Sequence, residues 1–294
     1  GSAHCGVIKI ADIGLDVTKT QTYVVEELDI KSWLPQKRTD QHKWTAACWV
    51  VGGSSGMNGA PFLASQAAQR SGSGYVRMSV PGEITETFSE VVGFPIAQTK
   101  WEQEITMSEL SRFKSMVLGP GLGRSSSTIK SLRKVIPSIN TPLVLDGDAL
   151  FAIGENFSVE NDNETTIILT PHDQEFEYVT GRRPSKNRIK DVREAAQRMN
   201  VVMLLKGPAT IIGDPDGRCF VVTAGDERLA TAGTGDVLSG IIGGMLAQGV
   251  APLEAATIGA WVHGQASKRC SKFGMVASDL LKPISEVLDE TYMG

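Results

Sequence analysis

Short apolar runs recur along the chain at residues 46–51, 75–80, 116–118, 143–145, 166–169 and 201–205. They are mostly non-alternating, as expected of strands covered on both faces. Helical patterns lie between them: an Ala-rich stretch at 60–70 and amphipathic stretches at 125–136 and 185–199. This alternation predicts a doubly wound α/β fold, a central mostly parallel sheet with helices on both faces. Residues 209–212 and 219–222 flank Asp214-Pro215-Asp216-Gly217, whose turn chemistry predicts a hairpin. Three helices are then expected at 236–247, 253–270 and 277–292. The first is lined by Ser239, Gly240, Gly243 and Gly244, small enough for close packing. Residues 14–43 are polar and irregular and read as a linker or arm.

Composition narrows the function classes. The 294 residues carry 29 Lys+Arg against 33 Asp+Glu, a formal charge of −4, which argues against a nucleic-acid binder with a general basic surface. With 41% hydrophobic and 21% charged residues, the chain has the make-up of an ordinary globular protein. No apolar run approaches the ~20 residues that span a bilayer. The four cysteines are far apart and form no C-x-x-C pair, which suits a reducing cytoplasm. No basic segment followed by an apolar stretch marks a signal peptide.

Glycines cluster where apolar runs end, as in βα turns whose backbone approaches something closely. The strongest of these is Gly233-Thr234-Gly235-Asp236, opening the 236–247 helix. Free N–H groups and a partial positive charge of about +0.5 make such a turn an anion site. A carboxylate there, Asp236, suits a base that takes a proton from a hydroxyl attacking phosphorus; the alternative is a helix cap. Thr170-Pro171-His172-Asp173-Gln174-Glu175-Phe176 follows the 166–169 strand, where open α/β sheets place ligands. There His172 could bond a substrate and Glu175 a Mg²⁺ ion through water, or Asp173 and Glu175 could simply favour a helix start. Lys206-Gly207-Pro208-Ala209-Thr210 could neutralise and contact a nucleotide, or be only a turn. Gly119-Pro120-Gly121-Leu122-Gly123-Arg124 suggests close approach to a ligand, or is a structural turn. Asp146 and Asp148 could orient a substrate or metal, or merely cap the next stretch of chain. No Ser-His-Asp order is defensible among four histidines, and His263 reads as a packed or capping residue.

Taken in order, VVGGSSGMNGAP, VLGPGLGR, PLVLDGDAL, ILTPHDQEF, LLKGPAT, LATAGTGDVLSGIIGGMLAQG and AATIGAWVHGQA resemble the ADP/ATP-dependent NAD(P)H-hydrate dehydratases. These are the carbohydrate-kinase-like domain often fused behind an NAD(P)HX epimerase. The resemblance covers Val50 to the C-terminus and implies a ribokinase-like fold. It implies that Asp236 is the base, with Gly233, Thr234 and Gly235 stabilising the phosphoryl group. Lys206, Gly207, Pro208, Ala209 and Thr210, with Gly235, would hold the phosphates of ADP or ATP. Ala60, Gly121 and His172 would contact the hydrated dinucleotide NAD(P)HX, with Asp146 and Asp148 nearby. Mg²⁺ is expected, with Glu175 in its water shell, as is a homo-oligomer of four or more subunits.

Residues 5–15 resemble the closing strand of the epimerase domain. That implies a domain boundary near residue 43 and a chain that is either the dehydratase half of a bifunctional protein or one that lost its front half. Many relatives carry Tyr, Gly and Ala where this chain has Met57, Gln174 and Gly147, which bears on the substrate loops. Two alternatives stand beside this reading: a small-molecule kinase of the same superfamily, acting on a sugar, hydroxymethylpyrimidine or thiazole alcohol, and a non-catalytic nucleotide-binding paralogue.

Overall fold

In a computed structural model, residues 13–36, 39–84, 90–107, 109–159 and 165–294 are described. Ten strands form one sheet: β1 (Thr22–Val24), β2 (Ala47–Val51), β3 (Tyr75–Ser79), β4 (Val92–Gly93), β5 (Ser115–Leu118), β6 (Leu143–Leu145), β7 (Ile167–Leu169), β8 (Val202–Leu205), β9 (Thr210–Gly213) and β10 (Cys219–Val222). Their order is β1-β10-β9-β8-β7-β6-β5-β2-β3-β4. From β4 to β8 all neighbours are parallel. β9 runs antiparallel to both β8 and β10, so the expected hairpin forms.

The helices are α1 (Glu27–Trp33), α2 (Gly59–Arg70), α3 (Glu102–Met107), α4 (Ser126–Val135), α5 (Asp148–Ile153), α6 (Asp173–Thr180), α7 (Arg188–Met199), α8 (Thr234–Ala247), α9 (Pro252–Lys268) and α10 (Leu281–Met293). The central strands read as continuous apolar runs because both faces are covered. Val117, Val144 and Ile168 are in register and point to one core with α2, α8, α9 and α10. Their neighbours Met116, Leu118, Leu143, Leu145, Ile167 and Leu169 point to a second core with α4–α7. The expected doubly wound α/β architecture is therefore the one observed.

Stretches that depart from expectation do so for local reasons. The 185–199 helix begins only at Arg188, where the Asn187 side chain accepts the Lys190 N–H at 3.2 Å. Residues 277–280 form a 3₁₀ turn before α10. Within the stretch read as irregular, β1 pairs in parallel with β10, Ile30 of α1 is fully buried, and Trp33 stacks on Phe220 at 5.2 Å. A three-residue strand and a seven-residue helix are too short to show periodicity. Residues 5–12 of the epimerase-like strand lie outside the described residues, and 13–15 belong to no strand. Among the described residues no helix is long and apolar enough to cross a membrane.

The chain reverses direction across the sheet between β2 and β5, since β3 and β4 lie on one side of β2 and β5 on the other. In open α/β sheets such a switch point opens a crevice at the carboxyl ends of the strands. The two exits touch there, with the Gly53 N–H donating to the Pro120 carbonyl at 2.7 Å. Gly119, at φ +125°, passes so near the Asp146 carbonyl that a Cβ would overlap it.

Candidate active site

α8 brings the glycine turn to this edge. Gly233 is its N-cap, in the left-handed region at φ +89°. Thr234 pins the turn by donating its hydroxyl towards the Leu229 and Thr231 carbonyls at 2.8 and 2.9 Å. From there the helix runs into the core, buried through residues 237–247. Of its first-turn N–H groups, which lack intrahelical acceptors, that of Thr234 donates to the Thr231 carbonyl at 3.3 Å. Asp236 stands in that first turn, partly exposed.

Lys206 leaves β8 towards the same point. Its Nζ lies 3.1 Å from Asp146 Oδ1 and 3.6 Å from Glu175 Oε2, with 22% of the side chain exposed. Burial pulls its pKa down, but Asp146, Glu175 and Asp236 outweigh that and hold it above the usual lysine range. Asp236 responds in the opposite sense. Burial first, then the Asp146 charge, push it up to about 7, partly offset by Lys206, with Glu175 and Asp148 adding to the rise. A base near 7 is matched to proton transfer at neutral pH.

Asp146 is 3% exposed and is a hub. It takes Lys206 on Oδ1 together with the Thr170 hydroxyl at 2.8 Å, and the Ser239 hydroxyl on Oδ2. Ser239 Oγ also lies 2.9 Å from the Gly235 carbonyl, which ties the hub to the α8 turn. Asp148 acts on a different loop, accepting the Gly123 N–H at 2.7 Å and the Arg124 Nε–H at 2.8 Å. Both aspartates thus shape the site through other residues. The sequence marks Ser239 only as a small packing residue and Thr170 only as the start of a stretch; their place beside Asp146 reveals their part in the site.

His172 is the N-cap of α6. Its Nδ1 accepts the N–H groups of Gln174 and Glu175 at 3.1 and 3.3 Å, while Glu175 Oε2 accepts the His172 N–H at 2.9 Å. With Nδ1 accepting, Nε2 is the ring's donor; it lies 3.6 Å from Glu175 Oε2, on a side chain that is 53% exposed. Ala60 and Gly121 meet across the β2 and β5 exits, a Gly121 Cβ position lying 3.2 Å from Ala60 Cβ. Of the Lys206–Thr210 stretch, Lys206 enters the carboxylate cluster, while Gly207 and Pro208 are exposed on the turn into β9. Met57 and Gln174 are exposed, and Gly147 sits at φ +55° between the two aspartates. His263 is buried, faces the Thr234 backbone, and has its pKa pushed down to about 4 by burial and the Lys206 charge. It is thus the packed histidine expected.

Among the described residues no group of three or more His, Cys, Asp or Glu side chains is arranged to hold a metal ion. Mg²⁺ carried by a nucleotide takes most of its ligands from phosphates and waters and needs only one or two protein carboxylates. The three Glu175 contacts, from Lys206, the His172 N–H and the His172 ring, all fall on Oε2. Oε1 is the oxygen that neither Lys206 nor His172 engages, on a side chain that is 9% exposed.

The family model for NAD(P)H-hydrate dehydratase matches residues 48–289. The ADP-dependent (S)-NAD(P)H-hydrate dehydratase of Neisseria meningitidis is 35% identical, over 82% of this chain and 83% of that protein. The bifunctional NAD(P)H-hydrate repair enzyme of Moorella thermoacetica is 31% identical over 98% of this chain but only 59% of its own length, so the chain spans about three fifths of such relatives. Among solved structures, the ADP/ATP-dependent NAD(P)H-hydrate dehydratase of Bacillus subtilis, co-crystallised with ATP/Mg²⁺, superposes with a TM-score of 0.79 at 27% identity, covering 90% of this chain and 97% of that one. A ribokinase-like superfamily protein from Enterococcus faecalis shares the fold, with a TM-score of 0.80 at 19% identity over 95% of this chain and all of that one. With the ribokinase-like sheet, the glycine turn and this match over most of its length, the chain belongs to the NAD(P)H-hydrate dehydratase family.

Proposed function

We propose that this protein returns hydrated NADH and NADPH to their reduced forms at the expense of ADP or ATP. The observation that carries the proposal is Asp236, a carboxyl raised to about 7, in the first turn of α8 beside Lys206. A pure anion-binding turn gains nothing from a carboxylate; one that accepts a hydroxyl proton does.

Direct expulsion of hydroxide from the hydrated ring is slow, because its conjugate acid has a pKa of ~15.7. Phosphate, with a second pKa of ~6, leaves far more readily. In the proposed sequence Asp236 removes the ring hydroxyl proton as the oxygen attacks the terminal phosphorus of the nucleotide, which departs one phosphoryl group shorter. The N–H groups of Gly233 and Gly235 and the Lys206 ammonium bear the charge on the transferring group, while Thr234, whose N–H and hydroxyl are both engaged within the turn, holds its shape. The ring nitrogen then pushes its lone pair in, the C–O bond breaks, and phosphate leaves with the bonding electrons. Loss of a proton from the adjacent carbon to solvent restores the double bond. Glu175 would hold the water shell of a nucleotide-bound Mg²⁺, whose positive charge would offset that of the phosphates. Gly207, Pro208, Ala209 and Thr210 would line the nucleotide, and Ala60, Gly121 and His172 the dinucleotide. Asp146 and Asp148 would support the substrate side through the loops they brace.

The same reading takes residues 44–294 as the dehydratase domain, to which β1 and α1 of the preceding stretch add an edge strand and a packed helix; the residues before them would lead from an epimerase domain in a bifunctional protein. It places the protein as a homo-oligomer in the cytoplasm. The test is to incubate the protein with hydrated NADH, Mg²⁺ and ADP or ATP. Return of the reduced-nicotinamide absorbance with release of phosphate supports the proposal. No return, or a phosphate ester that persists, rejects it and favours a kinase.

A further inference from the structure

The nucleotide loop and the substrate-side turn are joined by a residue that none of the sequence motifs contains. Arg188, the first residue of α7, donates from Nη1 to Asp173 Oδ1 and from Nη2 to the Lys206 carbonyl, both at 2.8 Å. Asp173 follows directly on His172, the cap of α6. Gly207 leaves room for the guanidinium, since a Cβ there would stand 2.8 Å from Nη2. Both main-chain groups of Lys206 are thereby engaged, its carbonyl by Arg188 and its N–H by the Pro171 carbonyl at 2.9 Å. Its side chain reaches Glu175 of that same turn. Three independent ties therefore bind residues 171–175 to residues 206–207, and Arg188 is the one that spans both loops with a rigid, planar fork.

We propose that Arg188 is a positioning residue that couples the two substrates: it holds the Lys206 loop against the His172 turn, so that nucleotide on one strengthens dinucleotide binding at the other. This rests on the dehydratase reading, because it takes the two loops as the subsites of two ligands. A nucleotide that draws Lys206 towards its phosphates must move, or be resisted by, the turn that carries His172 and Glu175. With the fork intact the two subsites share one arrangement, and the first ligand to bind sets it for the second. Coupling of this kind is reciprocal and commonly amounts to about 5–150-fold in affinity.

The experiment is calorimetric titration of ADP with Mg²⁺, with and without saturating NADH, on the wild type and on Arg188→Met, which keeps the apolar stem. In the wild type NADH should tighten ADP binding by about fivefold or more. In the variant the two affinities should agree within about twofold, while a melt shows the fold retained. Arg188→Lys, with a point charge in place of the fork, should not restore the coupling. If Arg188→Met does not fold, Asp173→Asn opens the same bridge from a side chain that is 61% exposed, and should also reduce the coupling. Coupling unchanged in a folded variant, or absent in the wild type, overturns the proposal. A wild type that fails to turn over hydrated NADH defeats the dehydratase reading itself, whereas full turnover with undiminished coupling in the variants defeats only the role of Arg188.

Discussion

Replacing Asp236 by asparagine separates what the carboxylate costs from what it does. Burial, with the Asp146 charge, pushes the group up to about 7 from 3.8 in the folded protein. The folded state therefore holds this proton more tightly than the unfolded chain does. With a raised acid pKa, stability is greatest below the unfolded value, falls as pH climbs from about 4 to about 7, and stays low above that. At about 1.36 kcal/mol per pH unit the ceiling is about 4 kcal/mol. Cleft water reaches the partly exposed carboxylate, so about 1–3 kcal/mol is expected. Urea unfolding without nucleotide should show Asp236→Asn more stable than wild type by that amount at pH 8, the gap closing towards pH 4. The same variant should bind nucleotide and lose about 10²–10⁴-fold in turnover. Wild-type kcat/KM should rise about tenfold from pH 6 to pH 8, as the ionised fraction goes from about a tenth to about nine tenths. A variant less stable than wild type at pH 8, or one turning over at near-normal rate, would refute the reasoning.

Lys206→Ala should weaken nucleotide binding in calorimetry more than dinucleotide binding. It should also move the acid limb of kcat/KM to higher pH, because the Lys206 charge is what restrains the Asp236 rise. Asp148→Ala frees the Gly123 N–H and the Arg124 side chain. Steady-state kinetics should then show a higher KM for hydrated NADH and an unchanged KM for ADP. Gly240→Ala drives a methyl into the Ala64 carbonyl where α2 and α8 cross. It should cost about 1–3 kcal/mol in thermal or urea unfolding without altering the pH profile of the remaining activity.

The architecture was legible because the fully covered strands stand out as unbroken apolar runs and the hairpin turn carries Asp-Pro-Asp-Gly. The glycine turn was equally plain, since few folds need Gly-Thr-Gly-Asp ahead of an apolar helix. Other features fell below what local pattern conveys. α6 is eight residues long, and its histidine cap reads as an isolated polar residue until the two N–H groups it accepts are seen. Asp146 and Asp148 lie two residues apart yet serve different loops, because the left-handed Gly147 between them redirects the chain. Thr170 and Ser239 meet Asp146 from 24 and 93 residues away, and Arg188 reaches Asp173 and Lys206 from 15 and 18. Such convergence belongs to the tertiary structure and leaves no periodic trace.

The proposed phosphate cradle is the tip of α8, and nearly the whole of that rod is interior. On that reading catalysis and cohesion are one unit in this molecule. Denaturant has no partial way to spoil the cradle, since loosening it means withdrawing α8 from between the sheet, α2 and α9. Inactivation and loss of secondary structure should trace the same curve, with no inactive yet folded species between them.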